Sequence, residues 1–222
     1  MKKKELTPEQ IEQLFTFMRR KYVRYYDVQI ELVDHFASAI EELWETEPNV
    51  SFEKAIEKVY SGFPITGFNN LIHEKIAAIQ NRIKQHTWKE VKAYLTIPKV
   101  TVTLLLVALF NIFYSVVPYP YWFAYGIILG ITFLSFFLLK KTVNYSKNKT
   151  KFLVLESLIG SQSLFSFLTY LPVYGMHSEQ FPPWASIPFS IVTVFAILIA
   201  YGHHKVANSI LEEWKHQFPQ FI

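Results

Sequence analysis

Apolar residues follow two different patterns along the chain. Over roughly the first hundred residues they recur every three or four positions, the period of helices with one buried face. Beyond Val100 they run almost unbroken.

In "LTPEQIEQLF", Thr7 can cap a helix, Pro8 suits the first helical position, and Gln10 completes a capping-box spacing. Ile11, Leu14, Phe15, Met18 and Tyr22 then share a face, predicting a first helix from about Pro8 to Arg24. A second helix contains "YYDVQIELVDHF". With Asp27 set at zero and about 100° per residue, Glu31 falls near about 40°, Asp34 near about 340° and His35 near about 80°. Ser38, Glu41 and Glu42 lie in the same sector, and Val28, Leu32, Val33, Phe36, Ile40 and Trp44 fill much of the rest. The pattern predicts a wide buried face and a narrow acidic one. Gln29 points into the apolar arc, where its amide needs a hydrogen-bond partner.

Ser51 is expected to cap a short third helix carrying Phe52, Ala55, Ile56, Val59 and Tyr60, which "SGFPITGF" then breaks. A long fourth helix follows, with Ile72, Ile76, Ile79 and Ile83 spaced as a packing seam. Trp88, Val91 and Leu95, set among lysines, read as an interfacial segment lying near lipid headgroups.

Four apolar runs come next: Val100 to Val117, Tyr121 to Leu139, Phe152 to Leu171, and Trp184 to Tyr201. Each is close to the ~20 residues a helix needs to cross the hydrocarbon of a bilayer. Glu156 is the one clear charge within them. In the tail, Val206, Ile210, Leu211 and Trp214 keep helical spacing. The expected architecture is all-α. A cytosolic helical domain with a juxtamembrane segment spans residues 1–96, a four-helix transmembrane bundle 97–202, and a cytoplasmic amphipathic tail 203–222.

Charge gives this arrangement an orientation. Met1 to Lys99 holds fifteen Lys and Arg against fourteen Asp and Glu, whereas Val100 to Ile222 holds seven against four. Lys and Arg gather in "NRIKQHTWKEVKAYLTIPK" and in "KKTVNYSKNKTK", while "PYP" and "PVYGMHSEQFPP" contain none. Positive loops mark the cytoplasmic side, so both termini are expected there. Tyr119, Tyr121, Trp122, Tyr170, Tyr174 and Trp184 gather at the opposite ends, as interfacial aromatics do. The two Asn-X-Ser/Thr matches, at Asn144 and Asn148, then fall on the cytoplasmic side and are chance. The basic residues form no stripe with interleaved aromatics and glycines, which argues against nucleic acid as a partner. With no cysteine, disulfides and zinc-thiolate sites are excluded. "MKKKELTPEQ" lacks an apolar core and is not read as a cleavable signal peptide.

Gly126 with Gly130, and Ser157 with Ser161, repeat the small-xxx-small spacing that lets helices approach closely, within the chain or between copies. Glu156 and Gln162 are the strongly polar side chains within a span, and they define an alternative reading as a small transporter or a transport-complex subunit. Glu156 also lies within pairing reach of Lys151 and the Lys140/Lys141 cluster. Glu31 and His35, four apart, can reach one cation, with Asp27 or Asp34 adding an oxygen. The Glu-x-x-His repeat of di-iron bundles is absent, however, and the other histidines show no complementary pattern. No phosphate-binding glycine loop, GxSxG or His-Glu-x-x-His occurs. The serines of "IGSQSLFS" have no evident basic partner in another span. No enzyme, metal or cofactor is therefore expected. The acidic face Asp27, Glu31, Asp34, His35 and Glu42 is read as a docking surface for a protein partner.

"ELVDHFASAIEE", followed by "FEKAIEKV" and a glycine-containing break, resembles the HAAS or permease-prefix type of bacterial N-terminal helical domain. The resemblance covers about Leu6 to Ile79. "YYDVQIELVDH" is also similar to a signature of membrane proteins from the Bacteroidetes group. The resemblance implies a regulatory or scaffolding module that binds a partner, placed on the bacterial inner membrane.

Overall fold

A computed structural model describes residues 4–63, 67–143, 150–161, 184 and 186–221. Among these the chain is all-helical, with α1 Pro8–Arg20, α2 Tyr26–Thr46, α3 Phe52–Ser61, α4 Asn69–Ala93, α5 Val100–Val116, α6 Pro120–Val143, α7 Leu153–Ser161 and α8 Ser186–Gln217. A short 3-10 turn, Pro219–Phe221, follows α8.

Two compact units divide the chain: Met1–Ala78 with Lys149–Val154, and Ile79–Asn148 with Leu155–Ile222. The first division falls between Ala78 and Ile79, inside α4. The C-terminal half of α4 belongs with the apolar helices, because Ile83, Thr87 and Val91 are buried along one of its faces. Val91 shares a cluster with Ile128, Val194, Leu198 and Ile199, and Trp88 packs against that cluster. The segment with Trp88 and Val91, expected near lipid headgroups, is part of a helix packed on the apolar cluster.

In the first unit the capping box of α1 forms as the sequence implies, Thr7 and Gln10 each accepting the other's backbone N–H. The helix stops at Arg20, four residues early. Tyr22 takes a left-handed φ of 64°, which reverses the chain and leaves its ring exposed rather than on the buried face. Val23 then turns inward and its carbonyl accepts the Gln29 side-chain amide at 2.6 Å, so the misfit polar residue of α2 does find a partner. Ser51 caps α3. Leu14, Met18, Leu32, Phe36, Ile40, Trp44 and Ala55 make the core, with Phe36 against the rings of Phe17, Phe63 and Phe68.

In the second unit α8 packs against α5 and α6. Pro120–Lys141 and Ser186–Gln217 are long and apolar enough to cross a membrane by length and composition, and Val100–Val116 is apolar but shorter. The four expected spans are thus matched at full length by two. Of the third, only α7 lies within the described residues. The tail is no separate helix: α8 runs unbroken for 32 residues, about 48 Å at ~1.5 Å per residue.

Candidate functional site

Two groups of polar residues qualify, one in each unit. The first is the acidic face of α2. Asp27 sits in its first turn, half-buried, and does not belong to an exposed surface. Its Oδ1 accepts the backbone N–H of Leu153 at 3.0 Å and of Val28 at 3.1 Å, and its Oδ2 accepts that of Val154 at 3.2 Å. The first N–H groups of a helix have no partner within it, and α7 starts at Leu153. Asp27 therefore caps α7 from a distant part of the chain. Around this cap, the Tyr26 N–H donates to the Lys151 carbonyl at 2.8 Å and the Tyr26 ring meets Phe152 edge-on. Phe152 and Leu153 are buried. Burial pushes the Asp27 carboxyl above its usual range, and the three N–H groups oppose that shift only in part.

The rest of the face divides. Glu31 pairs with Lys75 of α4, and His35 sets its ring edge-on to Phe63 with centroids 6.5 Å apart. Asp34 and Glu42 are exposed. Among the described residues no three His, Asp or Glu side chains converge as metal ligands.

The second group lies where α4, α7 and α8 meet. Ser161 and His203 are fully buried, with Ser161 Oγ 2.7 Å from His203 Nε2. A basic partner for a serine of "IGSQSLFS" therefore exists, although the linear pattern hid it. The geometry is nonetheless not that of an activated nucleophile. Ser161 Oγ also donates its proton to the Leu158 carbonyl at 2.8 Å, and both contacts are satisfied at once when Nε2–H donates to Oγ. An activated serine would have to donate to the imidazole instead. The pair joins helices.

Close approach of α4 and α8 occurs at Gly202. A Cβ there would lie 3.3 Å from both the Thr87 carbonyl oxygen and Glu90 Cβ. The contact extends through Lys205–Glu90 at 2.8 Å and Arg82–Glu213 at 3.0 Å. Gly126 and Gly130 play no such part among the described residues: a Cβ on either meets nothing within 4 Å. The reason is rotational, since α6 turns Ala124, Ile128, Ser135 and Leu139 inward and both glycines outward. Ser157 and Ser161 are buried on α7. Glu156 is exposed on the same helix, and Gln162 lies outside the described residues.

Linear patterns missed His203 and Gly202. "YGHHK" follows an apolar run and reads as a solvated boundary, and only the partner helices reveal it as an interior contact. Comparison with protein-family models, curated proteins and solved structures finds no match.

Proposed function

We propose that the chain is a multi-pass membrane protein of the bacterial inner membrane, with four spans and both termini in the cytoplasm. In this reading it works as a scaffold, sensor or accessory subunit through contacts of its N-terminal helical unit. One observation carries the membrane part, a large exposed apolar surface on a unit that also buries several polar side chains. In the second unit Leu104, Leu105, Leu109, Ile112, Val116, Phe133, Leu134 and Phe137 are exposed, while Ser135, Ser157, Ser161, Ser190, Thr193 and His203 are buried. Water would oppose such a surface, and lipid would not. The asymmetry of lysines between loops supports the orientation.

The cysteine-free sequence suits a direct test. Single cysteines at Tyr119 and Lys147, each labelled in intact spheroplasts with a membrane-impermeant maleimide, should differ. Tyr119→Cys is expected to react at once, and Lys147→Cys only after permeabilisation. Equal labelling of both would remove the orientation.

The docking part rests on what the chain leaves available. Asp27 and Glu31 serve contacts of the first unit, so the surface offered to a partner narrows to Asp34, His35 and Glu42. Charge reversal by Asp34→Lys with Glu42→Lys is expected to abolish co-purification of a protein partner from gentle detergent while leaving the cap on α7 intact. A partner that persists through this double change ends the docking reading.

A further inference from the structure

We propose that the outward face of α4 near the end of the apolar bundle binds the phosphate headgroup of an anionic phospholipid. The inference rests on the membrane reading above and adds a ligand to it. An open groove of about 560 Å³ lies there, lined by Asn81, Lys84, Gln85, Trp88, Lys89 and Lys92. None of these described lining residues is acidic, so the groove has a single sign of charge. Lys84, Trp88 and Lys92 are spaced four apart and form one ridge; Asn81, Gln85 and Lys89 form the next. Both ridges turn away from Ile83, Thr87 and Val91, which bury themselves in the unit.

Trp88 fixes the level of the groove. Its ring packs on Phe195 of α8 with centroids 5.6 Å apart, and three residues further on Val91 is in the apolar cluster with Val194 and Leu198. Phe195 belongs to the apolar part of α8, whose first lysine is Lys205. The groove therefore lies at the apolar–polar boundary, where an indole ring is preferred and where headgroup phosphates are found. The lysine stems and the indole face supply apolar walls for the glycerol and upper acyl region, and the ammonium groups supply donors for the phosphate. A soluble anion would use only the second of these. An anionic lipid uses both, which is why the groove is assigned to lipid.

The test uses the full chain, purified in mild detergent with equal phosphatidylglycerol and phosphatidylethanolamine, and reads retained lipid per protein by mass spectrometry. Phosphatidylglycerol is expected to be enriched several-fold over phosphatidylethanolamine. Combined Lys84→Gln, Lys89→Gln and Lys92→Gln should bring that ratio close to one, and the same three positions changed to Arg should keep it. Lys140→Gln with Lys141→Gln, which removes two exposed charges at the end of α6, should also keep it. Enrichment that survives the triple Gln change overturns the site, as does equal loss from the Lys140/Lys141 pair. Release of lipid from the unaltered protein by excess inorganic phosphate would assign the groove to a soluble anion and overturn the proposal. A chain washed from membranes by carbonate would instead sink the membrane reading itself. A chain that stays in the membrane without enrichment sinks the headgroup site alone.

Discussion

Both units of this protein bury apolar side chains, but they differ in what they expose and in how many polar groups they bury. In the first, Phe36, Leu14, Met18 and Ile40 are fully buried, and the surface carries carboxylates and lysines. In the second, Phe137 is 57% exposed while Ser161, Ser190, Thr193 and His203 are 0% exposed. Helix propensity does not distinguish them, because both are built of long helices with few breaks. The difference lies in what holds helices together. Where water surrounds the bundle, removing apolar area from it is the main stabilising term. In the apolar surroundings proposed for the second unit, a large side chain would gain little by turning inward. Helices then associate through close backbone approach and polar contacts, such as Gly202 against α4, Tyr114 with Thr193 at 2.8 Å, and Ser161 with His203.

The largest expected effect tests that contrast directly. Phe36→Ala removes a fully buried ring among Phe17, Phe63 and Phe68 and is expected to cost about 3–5 kcal/mol. Phe137→Ala in the second unit should cost well under ~1 kcal/mol in a lipid or detergent environment, since no core cavity forms. Thermal unfolding of both variants in the same detergent measures this. A Phe137→Ala loss as large as that of Phe36→Ala would break the comparison, because it would place Phe137 in a water-driven interface.

A smaller effect sharpens it at Asp27, which joins a polar cap to an apolar setting. Asp27→Ala leaves the Leu153 and Val154 N–H groups without their acceptor and should cost about 1–2 kcal/mol. The pH dependence has a definite sign. The folded-state pKa of Asp27 lies above its unfolded value, so the folded state holds the proton more tightly. This group's contribution to stability is therefore fully present below the unfolded pKa of a free aspartate and is lost as pH rises through the folded value. Melting temperatures of the unaltered protein should fall relative to Asp27→Asn as pH rises from the free-aspartate range towards neutrality. A constant difference would mean that the N–H groups balance burial, and a rise with pH would mean that they outweigh it.

In the first unit the linear sequence settled which segments are helical and where α1 and α3 begin. Thr7 and Gln10 cap α1 and Ser51 caps α3 because a capping contact spans only three residues, so its chemistry is complete in the local string. The apolar period placed Leu32, Phe36 and Ile40 inside, and the wrong-faced Gln29 announced its own need for a partner. Where α1 stops was less legible, since the left-handed turn at Tyr22 carries no glycine to mark it.

Tertiary structure alone decided which of the polar residues act on one another. The stripe Asp27, Glu31, Asp34 and His35 is uniform on a helical projection, yet Asp27 caps α7, Glu31 pairs with Lys75, and Asp34 stays exposed. Those partners lie 126 and 44 residues away along the chain. The same holds for Ser161 with His203, 42 residues apart, and for the glycine pair whose spacing suggested contact but whose face turns outward. Local pattern fixes which face of a helix is apolar, because that depends on neighbours three and four positions away. The acceptor that meets a given donor depends on how whole helices are rotated against each other, and no short window of sequence contains that rotation.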